Sequence, residues 1–70
     1  MNKRIEKLGS LVRQVRKEQG LTQAQLAVAT KLGIRFIRDV ERGKESYHIG
    51  KVLTVLKMLS LQIKIGEEAL

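Results

Sequence analysis

Arg35, Arg38 and Arg42 recur at three- and four-residue spacing along IRFIRDVER, which places three guanidinium groups on one side of a helix. A guanidinium is planar and always charged, and its forked N–H donors match the O6 and N7 acceptors that guanine shows in a DNA major groove. The duller reading of the same arginines is a solvated helix face. Ile34 and Asp39 share that side. Ile34 suits a thymine methyl or, equally, a loosely packed surface. Asp39 fits a helix-surface partner of Arg35 or Arg42 better than a base reader. With Gly33 at the helix start, the candidate base-facing set is Gly33, Ile34, Arg35, Arg38 and Asp39.

A second group suits phosphate. Gln23 stands with Thr22 at the start of an earlier helix, where free backbone N–H groups favour an anion. Arg42, Lys44, Tyr47 and His48 cluster after the arginine helix, where a nucleic-acid backbone would pass. Tyr47 reads equally well as a small hydrophobic plug. Catalytic chemistry has no comparable support. His48 is the only histidine, so no metal constellation assembles around it, and there is no cysteine. Ser10, Ser46 and Ser60 have no base beside them, and the seven carboxylates are scattered among cations rather than paired. The expectation is a protein that is not an enzyme and carries no metal or cofactor.

The elements that must position these groups follow from periodicity and caps. Thr22 is a helix cap whose hydroxyl accepts a backbone N–H, and Leu21 before it suits the apolar position outside a cap. A helix over 22–30 is expected, with small Ala24, Ala27 and Ala29 beside Leu26 to let a second helix approach. After a break at 30–33, Phe36, Ile37 and Val40 form the buried stripe of a helix over 34–42, which Gly43 ends. Residues 22–42 thus spell a helix-turn-helix, and double-stranded DNA becomes the leading partner. A preceding helix over 5–19 puts Ile5, Leu8, Val12 and Val15 inward and is closed by Gly20. A following helix over 49–60 is expected to bury Ile49, Val52, Leu53, Leu56 and Leu59. The expected fold is all-α, one compact domain over 1–70 with four to five helices.

From Leu61 to Ile65 the apolar period changes to two, and Gly66 stops it, which predicts a strand. No second strand candidate is visible, and a solitary strand leaves its N–H and C=O groups unpaired. The expected solution is pairing of Leu61, Ile63 and Ile65 with the same strand of a second copy around a two-fold. The alternative is that the segment prolongs the last helix or frays.

Fourteen Lys and Arg against seven acids give a net charge of +7 on 70 residues, a field that attracts phosphate. No apolar run approaches the ~18 residues of a membrane span and no signal-peptide pattern occurs, so a cytoplasmic protein without a membrane role is expected. Tyr47 and Phe36 are the only aromatics, which leaves no stacking platform for RNA. A chain this short buries only about 60% of its unfolded surface, so a partner subunit would help.

On LVRQVRKEQGLTQAQLA, RFIRDVERGK and VLTVLKMLSLQI, the stretch from Leu8 to Leu61 resembles the Cro/phage-repressor (XRE) class, and within it the small HipB-type antitoxins of HipA-like kinase toxins. The resemblance implies an ion pair between Arg16 and Glu41 that ties the first helix to the reading helix. It also implies a homodimer joined through its tails, a palindromic operator at the protein's own promoter, and a HipA-like kinase as protein partner. A stand-alone or phage-type repressor, or a protein-interaction adaptor on the same fold, are the alternatives. One departure stands out: many members have glycine at the place of Lys31, where the chain turns left-handed and a lysine costs roughly 1 kcal/mol. A reshaped turn, in which Gly33 takes the unusual dihedrals, is the expected accommodation.

Overall fold

A computed structural model describes residues 3–45 and 48–70, so the expectation for Tyr47 lies outside the described residues. Four helices, α1 (Lys3–Glu18), α2 (Gln23–Thr30), α3 (Ile34–Glu41) and α4 (Ile49–Met58), precede two short strands, β1 (Lys64–Ile65) and β2 (Glu68–Ala69). The all-α fold with a strand at its C-terminal end is as the sequence led us to expect. Val12, Leu26, Ala27, Ile37, Val40, Val52, Val55, Leu56 and Leu59 make one core drawn from all four helices. Ala24 and Ala29 of α2 face outward; only Leu26, Ala27 and Thr30 of that helix are buried.

Thr22 caps α2: its Oγ1 accepts from the Gln25 N–H at 3.0 Å while the Thr22 N–H donates to Gln25 Oε1 at 2.8 Å. That reciprocal pair satisfies two otherwise orphaned donors. The helices end alike, each on a residue with positive φ: Gly20 at 73°, Lys31 at 59°, Gly43 at 76° and Ser60 at 60°. The next residue then donates back into the last turn, as in Leu32 N–H to Ala27 O at 3.0 Å and Lys44 N–H to Asp39 O at 3.0 Å. Lys31 therefore takes the left-handed conformation itself, correcting the expectation that Gly33 would. Gly33 is extended (φ −69°, ψ 147°) and serves as the N-terminal cap residue of α3 without a side-chain bond. The bonds that end α2 hold Lys31 in place, and its side chain lies in solvent, so the strain of about 1 kcal/mol is carried locally.

Gly9 fixes how closely α1 and α3 approach. Glycine inside a helix ordinarily weakens it by about 1 kcal/mol. Here a Cβ would collide with the Val40 carbonyl oxygen and come within 2.9 Å of the Glu41 carbonyl oxygen. The missing side chain thus lets the end of α3 lie directly on α1.

Helix α4 buries Val52, Val55 and Leu56, with Leu53 half-buried, and Leu59 just beyond its end is buried as well. Ile49, expected in the core, is 63% exposed. At that first turn Ile5, Leu8, Val40 and Val52, among the described residues, border an open groove of about 160 Å³ beside it.

The tail corrects the expectation that its strand is solitary in the chain. Strand β1 is confined to Lys64–Ile65 and finds its partner within the same chain, Lys64 opposite Ala69 and Ile65 opposite Glu68. Leu61 instead gives its N–H to Leu56 O at 2.8 Å to finish α4, while Ile63 O accepts from the Leu70 N–H at 2.8 Å. Gly66, at φ 62°, opens a two-residue turn that makes the hairpin possible. Glu-Glu-Ala has little strand propensity, so β2 is drafted by its neighbour and invisible to pattern reading.

Candidate nucleic-acid interface

The centre of the site is the outer side of α3. Ile37, Val40 and Glu41 turn inward, which leaves Arg35, Arg38 and Arg42 exposed. Ile34 is half-buried and packed on the core, so its side chain is only partly presented. Asp39 pairs with Lys44 at 3.8 Å, in place of the Arg35 or Arg42 expected from helix spacing. The pair is open, with Lys44 71% exposed, and contributes little to stability. Its consequence is positional, since it places Lys44 beside the C-terminal end of α3.

Behind α3 lies an ion pair that joins three helices. Arg16 of α1 donates from Nε to Glu41 Oε2 at 2.6 Å and from Nη2 to Glu41 Oε1 at 3.0 Å, a two-point contact. Both side chains are buried, 8% and 2% exposed. Arg16 also donates from Nη1 to the Leu21 carbonyl at 2.8 Å, so the turn into α2 hangs from the same guanidinium. Hydrogen bonding to the Glu41 carboxylate raises the Arg16 pKa above its ordinary value against the opposing effect of burial, and the group stays charged.

Gln23, expected on phosphate, is half-buried and turned toward this pair, its Nε2 donating to Glu41 Oε1 at 3.1 Å. Its Oε1 accepts from Arg38 Nε at 3.4 Å. The structure thus brings Thr22, Gln23 and Arg38 to one corner, where α2 starts against α3. On the opposite flank Lys51 Nζ stands 5.9 Å from the centre of the Phe36 ring, a cation–π contact between α4 and α3. His48, exposed, holds the N-cap position of α4 without a side-chain cap bond. Lys51 is exposed and packed beside α3 by this contact, which nothing in its sequence neighbourhood announces; only tertiary packing places it. Among the described residues no cluster of three or more His, Asp or Glu side chains could hold a metal, and no helix is long and apolar enough to cross a membrane.

Two short helices meeting across a tight turn, with arginines on the outer side of the second and polar helix starts flanking it, are the architecture of helix-turn-helix DNA-binding regulators. The Helix-turn-helix domain family model matches residues 7–62, and the chain belongs to that family. It is 52% identical over 68 residues, 93% of this chain and 90% of the relative, to y4mF of Sinorhizobium fredii, described as an uncharacterized HTH-type transcriptional regulator. It is 32% identical over 65 residues, 90% of this chain, to the immunity repressor protein of Bacillus phage phi105, of whose length it spans 45%. Among solved structures, the restriction-modification controller protein C.AhdI from Aeromonas hydrophila superposes with a TM-score of 0.76 at 27% identity, covering 86% of this chain and 91% of that one.

Proposed function

We propose that the chain is a sequence-specific DNA-binding repressor, acting in the cytoplasm as a homodimer on a palindromic operator at its own promoter. The observation that carries this reading is the exposed pair Arg35 and Arg38 on the outer side of a helix whose inner side is locked to α1 and α2. Alanine at either should leave folding intact and cost about 1 to 3 kcal/mol of discrimination between operator and random DNA. Alanine at Arg42 or Lys44 should weaken binding to all sequences alike and flatten the salt dependence by about one unit of slope per lost phosphate contact. Titrations of a duplex selected from a random pool against an unrelated duplex, at several salt concentrations, separate the two outcomes. Unchanged discrimination in both Arg35→Ala and Arg38→Ala would remove them from base reading.

Dimerisation is supported by apolar surface near the tail. Met58, Ile65 and Leu70 are 44%, 65% and 65% exposed. A groove of about 420 Å³ bordered by Leu53, Leu61, Ile63 and Leu70 runs between α4 and the hairpin. The dimer must set two copies of α3 about 34 Å apart, one turn of B-DNA. Deleting 61–70 should therefore yield monomers by sedimentation and lower operator affinity far more than non-specific affinity. A truncated chain that dimerises as tightly as wild type rules the tail out as the interface.

Within this reading the chain is a HipB-like antitoxin that neutralises a HipA-like kinase; the support is RDVERGK together with the tail sequence. The phage relative favours a second reading, a repressor without a toxin. Co-purification with a kinase encoded beside it separates these, and weak binding without sequence preference would mark a protein-interaction adaptor.

A further inference from the structure

We propose that Gln23 is a positioning residue for Arg38, through which the buried Arg16–Glu41 pair fixes how the reading helix presents one guanidinium to DNA. The inference rests on the DNA-binding reading above and assigns Gln23 an intramolecular task in place of the phosphate contact its location at a helix start suggests. A carboxylate can only accept hydrogen bonds and a guanidinium can only donate them. Gln23 lies between one of each. Its amide nitrogen meets Glu41 Oε1 at 3.1 Å and its amide oxygen meets Arg38 Nε at 3.4 Å. Reversing the amide would face oxygen to carboxylate and N–H to guanidinium, so its orientation is dictated by chemistry.

Glu41 is itself anchored, bonded at both oxygens by Arg16 and only 2% exposed in its side chain. Orientation is thus handed from α1 to the end of α3, across to the start of α2, and back to the middle of α3. Engaging Nε also decides which part of Arg38 remains: the two terminal amino groups, which form the fork for an end-on contact with guanine. Arg35, exposed on the same helix, has no side-chain partner among the described residues and serves as the internal control.

The test begins with wild-type protein selecting a preferred duplex from a random pool; failure to select any overturns the DNA-binding reading and the inference with it. Once a duplex is selected, base preference at each position and melting temperature are measured for Gln23→Met, which keeps the length and removes both bonds. These are repeated in Arg38→Ala and Arg35→Ala backgrounds. We expect Gln23→Met to lower discrimination about three- to tenfold at the base pair that Arg38→Ala also relaxes. It should cause no further loss when Arg38 is already alanine, and its full effect when Arg35 is. Uniform weakening on every duplex, additive with Arg38→Ala, would make Gln23 a phosphate contact and overturn the proposal. Gln23→Lys guards against a folding defect, because it retains a donor for Glu41 and lacks the acceptor for Arg38. It should melt like wild type yet relax the same base pair, and retained preference there would equally overturn the proposal.

Discussion

Glu41→Ala is expected to destabilise the domain by about 3 kcal/mol, the lower end of the range for orphaning a buried charge because water lies close in so small a fold. The loss exceeds that of an ordinary surface pair because Arg16 would keep its charge in a site 8% exposed without its carboxylate, and Gln23 would lose its acceptor. Replacing both members should cost less than replacing one. Arg16→Met combined with Glu41→Leu removes the uncompensated charge, and such exchanges are often near neutral. Thermal or urea unfolding of the single and double variants gives the result directly. A Glu41→Ala protein that melts with wild type would mean the pair contributes nothing to folding.

Gly9→Ala carries the second large effect, with a sign opposite to intrinsic propensity. On an open helix this substitution stabilises by roughly 1 kcal/mol. Here the new methyl would press on the Val40 and Glu41 carbonyl oxygens, backbone atoms that yield only if α3 moves away from α1. The expected outcome is a loss of about 2 kcal/mol, typical of overpacking. The same displacement drags Glu41 from Arg16, so operator binding should fall together with the melting temperature. A stabilised Gly9→Ala protein would show that the two helices have room to spare.

What the sequence reveals about this fold is mostly local chemistry. Thr22 and Gly43 mark helix limits by the bonds a cap needs, and Ile37 and Val40 mark an inner face by period, so the helix-turn-helix can be read without coordinates. Where the deciding contact comes from elsewhere in the chain, residue types mislead. Gly9 looks like a weak point in a helix and is instead a point of close approach. Gln23 looks like a solvent-facing helix start, yet its direction is set by a carboxylate 18 residues away. Lys31 shows that a glycine preference is only an energy of about 1 kcal/mol, which hydrogen bonds of the turn can offset. Ile49 keeps the helical period of a core position, yet among the described residues it borders an open groove and stays 63% exposed.

The brevity of the C-terminal hairpin bears on solubility. Two residues per strand present an edge of only about 7 Å, flanked by the charges of Lys64 and Glu68. Such an edge has room for a couple of hydrogen bonds and no alternative register to slide into. Both edges of the two-stranded hairpin are equally short, so neither offers more than a couple of bonds to another strand. A long free strand of alternating apolar residues would instead be a template for stacking without end, and the short hairpin leaves little edge for such growth.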